Sequence, residues 1–203
     1  MILLNESLYI GKGTTRKVYI HPDEPDLCIK VDINGSKESL HTLGEAKYYR
    51  KFDKRLSRSG FLSIPKFHGF VETSEGAGGV FELIRDEDTG NISSTLKGFI
   101  HDSFKPEHRE PLDRALRSFR KNLMDFMIIS TDLKSHNICI KRLESGEFQL
   151  VCIDGIGNKE LIPVANYLPW FAHMKLRRHF KRYHLNSVDD ILAMRHTRSK
   201  PLT

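Results

Sequence analysis

The sequence of 203 residues has few cysteines and no long hydrophobic run, and both shortages exclude classes of protein. Three cysteines, without Cys-x-x-Cys spacing, indicate neither a disulfide framework nor a zinc site. No apolar run approaches the ~18 residues that a membrane helix needs. The apolar stretch Met1–Leu4 ends at Asn5, too early for the core of a signal peptide. We therefore expect a cytoplasmic protein, with export as an effector left open.

Excess basic charge is absent from the first 174 residues, which are neutral overall. The net charge of +6 comes entirely from residues 175–203, which hold eight Lys or Arg and two Asp. This distribution argues against a protein that wraps nucleic acid along its whole length. It leaves a cationic C-terminal patch that is either a solvated helix face and tail or a contact for phosphate, lipid or an acidic partner.

Patterns typical of strands dominate the first 85 residues. Residues 7–33 are typical of a hairpin followed by a third strand, and residues 64–84 of two more strands joined by a Gly-rich turn. Between them, residues 37–58 have helical spacing, with Glu45 on the apolar stripe. The pattern predicts a five-stranded antiparallel sheet with one helix.

The remainder, residues 86–203, is predicted to be mainly helical. Residues 85–91 are typical of a linker, and a helix of about 17 residues is expected after Pro111. A polar loop at 130–137 and a return strand at 148–153 follow. A final amphipathic helix is expected over 167–184. Its apolar residues, all expected to be buried, are Trp170, Phe171, Met174 and Phe180.

Seven residues with chemically useful groups are spread over residues 1–85 and 86–203: two glycines, three acids, an amine and an amide. In chain order they are Gly11, Gly13, Lys30, Glu45, Asp132, Asn137 and Asp154. Each alone is weak, because glycines, Asp and Asn favour turns and a strand lysine commonly extends to water. Together, their order and the element types that carry them match the protein-kinase signature set.

Phosphoryl transfer needs positive charge and close backbone approach around a triphosphate. The glycines let backbone amides approach phosphate oxygens, and Lys30 would hold the α and β phosphates of ATP. Glu45 would keep that lysine extended, since a carboxylate on a packed helix face needs a cation. The predicted ATP-binding residues are Gly11, Gly13, Val18, Lys30, Glu45, Glu82 and Leu83.

The catalytic and metal-binding roles fall on the loop and the strand end of the second region. Asn137 and Asp154 offer hard oxygen ligands, which Mg²⁺ prefers together with phosphates and waters. Asp132 would accept or orient the hydroxyl that receives the phosphoryl group. Lys134 could neutralise charge on the transferred γ-phosphate.

Longer motifs also carry a family resemblance over about residues 10–183. The motifs are Arg16-Lys17-x-Tyr19-x-His21-Pro22, Cys28-Ile29-Lys30, Glu45-x-Lys47-Tyr48-Tyr49, Ile64-Pro65-x-x-His68-Gly69-x-Val71-Glu72-Thr73 and Leu161-Ile162-Pro163. The chain resembles protein-kinase-like folds and, more closely, the bacterial YrbL family, named for the PhoP regulatory network. The resemblance implies an α+β, bilobal kinase-like fold, with an N-lobe at 1–85 and a reduced C-lobe at 86–203.

Departures from ordinary protein kinases limit what the resemblance carries over. Arg16 stands where a third loop glycine is usual, and Ser130-Thr131 replaces the His-Arg that precedes the catalytic Asp. Control through activation-loop phosphorylation is therefore not expected. Asp154 is followed by Gly-Ile-Gly without Phe, and no Ala-Pro-Glu follows.

Three functions remain open from the sequence. The first is an ATP- and Mg²⁺-dependent kinase that phosphorylates a protein Ser, Thr or Tyr hydroxyl, with a small-molecule hydroxyl also open. The second is a pseudokinase-type adaptor that binds the nucleotide and acts through protein contacts of its basic C-terminal helix. The third, a nucleic-acid binder, ranks lowest because it leaves the acid and lysine series unexplained.

Overall fold

The computed structural model describes residues 1–33, 46, 48, 49, 63–157 and 169–196. The chain divides into two compact units, an N-terminal unit of residues 1–60 and 65–84 and a C-terminal unit of residues 61–64 and 85–203. Both sheet and helix are present, so the expected mixed α+β class is confirmed. No helix within the described ranges is long and apolar enough to cross a bilayer.

The N-terminal unit contains the five-stranded antiparallel sheet that the sequence predicts. The order of strands in the sheet is β1-β2-β3-β5-β4, with every neighbouring pair antiparallel. The strands are β1 Tyr9–Lys12, β2 Arg16–Ile20, β3 Leu27–Asp32, β4 Phe67–Thr73 and β5 Gly76–Glu82, after a 3₁₀ turn at Glu6–Leu8.

Strand β3 lies at the centre of this sheet, and its residues Leu27 to Val31 are buried. A small residue is required opposite it, because a Cβ at Gly78 would lie only 2.5 Å from Cγ2 of Ile29. Because Gly78 has no side chain, the backbone of β5 can lie close to the side chain of Ile29 on β3.

Most of the helix predicted at residues 37–58 lies outside the described residues, and so does Glu45. Ala46, Tyr48 and Tyr49 are described; all three are helical and buried. The ring of Tyr49 packs with its centroid 5.8 Å from that of Phe67 and 5.7 Å from that of Phe81. The expected packing of this stripe on the sheet is confirmed at Tyr49.

Within its described residues, the C-terminal unit combines three helices longer than two turns with a two-stranded antiparallel sheet. Short helical turns lie at Leu96–Gly98, Phe99–Ser103, Pro106–His108 and Ser135–Asn137. The longer elements are α1 Arg109–Asp125, β6 Ile138–Arg142, β7 Phe148–Cys152, α2 Pro169–Arg182 and α3 Val188–His196. Helix α1 has the predicted 17 residues and buries Leu112, Leu116, Phe119 and Leu123.

Two expectations about the C-terminal helices are wrong. Trp170 is 69% exposed and Phe171 is 37% exposed, whereas both were expected in the core. Met174 is only partly buried, whereas Phe180 is buried as predicted, on a stripe with Ala172 and Leu176 at steps of four. The sequence also predicts no helix after α2, yet α3 follows, with the backbone N–H of Asp190 donating to Oγ of Ser187 at 3.1 Å.

The segment Arg85–Asn91, predicted as a linker, is fixed to strand β6. Oδ1 of Asp86 accepts hydrogen bonds from the Arg142 backbone at 3.0 Å and the Ser93 hydroxyl at 2.6 Å. Glu87 accepts one from Nζ of Lys141 at 2.8 Å, which lowers the pKa of Glu87. The segment is therefore a structural part of the C-terminal unit.

Candidate functional site

The polar loop 130–137 runs beside the turn that follows β7. Ser130 and Ile156 form an antiparallel bridge. The N–H of Thr131 donates to the carbonyl of Gly155 at 2.9 Å, and that of Ile153 to the carbonyl of Asn137 at 2.8 Å. These backbone bonds align the loop with residues 153–156, although the two segments are about 20 residues apart in the sequence.

Asp132 is the centre of a charged cluster in this loop. Its Oδ2 accepts hydrogen bonds from Nζ of Lys134 and Nδ2 of Asn137, both at 3.1 Å. Its other oxygen, Oδ1, is buried and has no hydrogen-bond partner within the described part of the chain. A buried carboxylate oxygen without a partner is costly, so it marks a position where a ligand would bind favourably.

Asp154 is connected to this cluster through the turn at Asp154-Gly155, which lies next to Asp132. Its Oδ1 accepts a hydrogen bond from the N–H of Gly155 at 2.7 Å. Gly155 has a φ of +72°, and a Cβ there would lie 3.3 Å from both Cβ and N of Asp132. The turn therefore abuts Asp132, and the structure brings together the four predicted residues Asp132, Lys134, Asn137 and Asp154.

The donor set of this cluster fits a magnesium ion that also binds phosphate. Asn137 directs its amide nitrogen to Asp132, so its Oδ1 is the atom that could act as an oxygen ligand, and the carboxylate of Asp154 is a second candidate ligand. Mg²⁺ usually binds one or two protein oxygens, with phosphates and waters completing its octahedron. Among the described residues, no three His, Cys, Asp or Glu side chains form a metal-binding group, so an all-protein cage is not indicated there.

Helix α2 holds the loop from its other side. Nδ1 of His179 donates a hydrogen bond to the backbone carbonyl of Ser130 at 2.8 Å. The hydroxyl of Tyr183 donates one to the backbone carbonyl of Thr131 at 3.3 Å. Both carbonyls immediately precede Asp132. Sequence reasoning missed these residues, since the only local signal is a His and a Tyr four positions apart, on one helix face.

In the N-terminal unit, Lys30 does not extend to water. It is 6% exposed, and its Nζ lies 4.5 Å from the centroid of the Phe81 ring. On β3 it pairs across the sheet with Val18 of β2 and Gly79 of β5. Two of the predicted ATP-binding residues, Lys30 and Val18, are therefore direct cross-strand neighbours.

The glycines of the first hairpin leave space that the protein itself does not fill. A Cβ at Gly11 would meet nothing within 4 Å, and one at Gly13 would meet only the Arg16 carbonyl at 3.8 Å. Packing within the described chain thus does not require glycine at either position, and a ligand could approach the backbone there. Arg16 itself is buried.

Two further predicted ATP-binding residues lie at the end of β5, Glu82 as its last residue and Leu83 directly after it. Glu82 is exposed, and its Oε2 accepts a hydrogen bond from the N–H of Lys66 at 3.1 Å. The N–H of Leu83 donates to the carbonyl of Asp26 at 2.8 Å. Both residues therefore have fixed positions next to β3, while Glu45 lies outside the described residues.

A second polar cluster in the N-terminal unit ties β2 to the turn between β4 and β5. Glu75 accepts hydrogen bonds from Nζ of Lys17 at 2.8 Å and from the hydroxyl of Tyr19 at 2.6 Å. These two donors lower the pKa of Glu75, with Lys17 contributing most. The side chains of Lys17 and Glu75 are both partly exposed. We therefore interpret this ion pair as a structural contact between β2 and the β4–β5 turn.

These observations define a mixed α+β protein in which one loop gathers two carboxylates, an amide and an amine. The family model described as PhoP regulatory network protein YrbL matches residues 2–186. "Uncharacterized protein YrbL" of Escherichia coli (strain K12) is 35% identical over 187 residues, covering 90% of this chain and 86% of that protein. The protein of the same name from Shigella flexneri matches equally well. The chain belongs to the YrbL family.

Proposed function

We propose that this protein is a minimal ATP- and Mg²⁺-dependent kinase that transfers the γ-phosphoryl group to a protein Ser, Thr or Tyr hydroxyl. One observation carries the proposal. The buried Oδ1 of Asp132, which has no hydrogen-bond partner among the described residues, lies in the same cluster as Lys134, Asn137 and the turn of Asp154. These are the residue types that phosphoryl transfer requires for orienting a hydroxyl, neutralising charge and binding magnesium.

Each residue of the cluster has a distinct proposed role. Asp132 orients the acceptor hydroxyl and takes up its proton through Oδ1. Lys134, already 3.1 Å from Asp132, stabilises negative charge on the transferred group. Asn137 and Asp154 hold Mg²⁺, which, when bound, neutralises charge on the phosphates of ATP.

In this proposal the N-terminal unit binds the nucleotide. Lys30 supplies the cation for the α and β phosphates, and the open backbone at Gly11 and Gly13 accommodates the phosphate chain. The buried position of Lys30 supports this role, because a buried ammonium gains more from an anionic ligand than an exposed one.

The family's description supports a protein acceptor. A role in a regulatory network is inferred from the words "PhoP regulatory network protein" that describe the family. Phosphorylation of a protein changes charge and hydrogen bonding at one position, and is therefore suited to regulation. A small-molecule acceptor has no comparable support.

Transfer of labelled phosphate tests the proposal. Purified protein is incubated with Mg²⁺, γ-labelled ATP and casein as a generic acceptor, and label in both proteins is measured. Asp132→Asn and Asp154→Asn should lower labelling by at least about a hundredfold, since each removes an essential charged group. Asp88→Asn, at an exposed turn residue of the same unit, should leave it unchanged.

Two results would count against the kinase. Equal labelling by all four proteins would show that the Asp132 cluster is not the site of transfer. Tight binding of Mg-ATP with no labelling of either protein by the wild type would favour the nucleotide-binding adaptor instead.

A further inference from the structure

The outer face of helix α2 combines an exposed tryptophan with a row of basic side chains. Trp170 is 69% exposed and packs edge-on against the partly exposed Phe171, with ring centroids 4.8 Å apart. A surface depression of about 410 Å³ lies along this face. We name it the α2 groove; it is lined by Trp170, His173, Met174, Arg177, Arg178 and Lys181.

The basic residues of the α2 groove differ in their pairing from those of α1. On α1, Arg114 pairs with Glu110 and Glu147, each at 2.7 Å. Arg117 and Lys121 likewise pair with Asp113 and Asp125. The surface charge of α1 is thus largely neutralised within the helix and its neighbours.

On α2, no carboxylate of the described residues pairs with Arg177, Arg178 or Lys181, all of which are exposed. Arg178 contacts the sulfur of Met174 at 3.7 Å. Helix α2 itself contains no acidic residue. Three cations side by side with no counter-charge repel one another, so an anionic partner would relieve that repulsion on binding.

We propose that the α2 groove binds an acidic segment of a partner protein through an aromatic anchor and the carboxylates that follow it. The apolar side chains occupy the N-terminal turns of the helix, and the cations occupy its last two turns. At 1.5 Å per residue, Arg177 lies about 10 Å and Lys181 about 16 Å along the axis from Trp170. An extended peptide rises about 3.3 Å per residue, so its carboxylates belong three to five positions after its anchor.

Nucleic acid fits this face less well. Single strands bind proteins by stacking successive bases on several aromatic side chains among the cations. Here the aromatic pair is confined to one end of the groove, and within the groove lining that the structure describes it is followed by three Lys or Arg side chains. Phosphate-driven binding commonly uses about six to ten contacts, which is more than this surface supplies.

A membrane surface is also disfavoured. Peripheral helices insert an apolar face into lipid. The apolar stripe of α2, formed by Ala172, Leu176 and Phe180, is fully buried in the C-terminal unit. A protein segment remains the best match, because Trp and Arg are the residues that most often dominate protein interfaces. The proposal does not depend on phosphoryl transfer.

Fluorescence of Trp170 can test this proposal directly, because it is the only tryptophan of the chain. The probe is the peptide Ac-Phe-Ser-Gly-Asp-Glu-Glu-amide, titrated into the full chain while Trp170 emission is recorded. Its neutral counterpart carries Asn-Gln-Gln in place of Asp-Glu-Glu. We expect saturable binding of the acidic peptide that weakens as salt is added, and at least tenfold weaker binding of the neutral one.

Two matched double variants locate the binding surface. Arg177→Gln with Lys181→Gln should weaken binding of the acidic peptide about five- to tenfold, because it removes two unpaired cations. Arg117→Gln with Lys121→Gln, on α1, removes the same charge and should change affinity less than about twofold. Thermal unfolding of both variants verifies that they fold.

Several outcomes would overturn the proposal. These are no binding of the acidic peptide, equal affinity for the two peptides, or equal loss in the two double variants. Tighter binding to single-stranded (dT)₁₂ would assign the α2 groove to nucleic acid. Tighter binding to vesicles of anionic phospholipid would assign it to membranes.

Discussion

Among single residues, Asp132 and its surroundings are the main support for the proposed kinase function. Lys134 and Asn137 both contact Oδ2, which fixes the orientation of the carboxylate and leaves Oδ1 without a partner in the described residues. A structural role alone does not explain this arrangement, because a buried oxygen of an aspartate normally accepts a hydrogen bond. Substrate hydroxyl or a bound cation would provide the missing interaction.

Gly155 offers a test of how closely the Asp154 turn must approach Asp132. Gly155→Ala combines the cost of a positive φ with a Cβ 3.3 Å from Asp132, whereas Gly146→Ala has a φ of +80° and open space around its Cβ. We expect Gly146→Ala to lower the free energy of unfolding by about 1 kcal/mol and Gly155→Ala by more. Urea unfolding of the wild type and both variants measures the difference.

The two glycine variants should also differ in phosphoryl transfer. Because the added methyl group pushes against Asp132, Gly155→Ala should lower kcat severalfold, and Gly146→Ala should leave it unchanged. Equal stability and equal activity of the two variants would show that contact between the Asp154 turn and Asp132 has no functional consequence.

Part of this local arrangement was predictable from the sequence. Asp132 and Asn137 lie in one short loop, so their proximity followed from spacing alone. The contact with Asp154 required knowing that residues 130 and 156 form a bridge, which spacing does not reveal. The unpartnered Oδ1 depends on rotamers and burial, and no sequence pattern reports either.

At the scale of elements, helix α2 supports the loop that carries Asp132. His179 and Tyr183 donate to the carbonyls of Ser130 and Thr131, so in the proposed kinase we expect them to position the loop. One helix therefore buries an apolar stripe, fixes the loop with a second face, and presents the α2 groove on a third. A change in the position of α2 would be transmitted to the loop through these two hydrogen bonds.

Removing a loop-holding hydrogen bond should affect turnover more than binding. Tyr183→Phe deletes only the hydroxyl that donates to the Thr131 carbonyl, and we expect kcat to fall about two- to tenfold with KM for ATP unchanged. Tyr9→Phe, at a half-exposed tyrosine of the N-terminal unit, serves as the control. Steady-state kinetics in which Tyr183→Phe raises KM and leaves kcat unchanged would contradict a positioning role.

The sequence predicted elements well where their apolar spacing is strong. The strands and helix α1 have clear periods, and both are present as expected. Helix α2 was placed correctly, but Trp170 and Phe171 were assigned to its buried face because large aromatic residues are usually buried. Helix α3 has weak amphipathicity over nine residues, so its Ser187 cap was the only usable signal.

In the whole molecule, the residues proposed to take part in phosphoryl transfer are distributed over two compact units. The N-terminal unit holds a buried lysine beside open glycine backbone, and the C-terminal unit holds the acids, the amide and a second lysine. The mixed α+β class and the five-stranded sheet followed from the sequence. The kinase-like fold and the binding of a nucleotide remain predictions.

Binding of Mg-ATP by the full chain is the decisive test of the proposed kinase, and thermal unfolding measures it. Ligand at a hundredfold excess over Kd stabilises a protein by about 2.7 kcal/mol, which raises Tm by about 5 to 10 °C in a chain of this size. We predict this rise for the wild type and for Lys97→Met, an exposed-lysine control. We predict its loss in Lys30→Met and in Asp154→Asn, which alter different units. No rise in the wild type at millimolar Mg-ATP, or the same rise in all four proteins, would contradict the account.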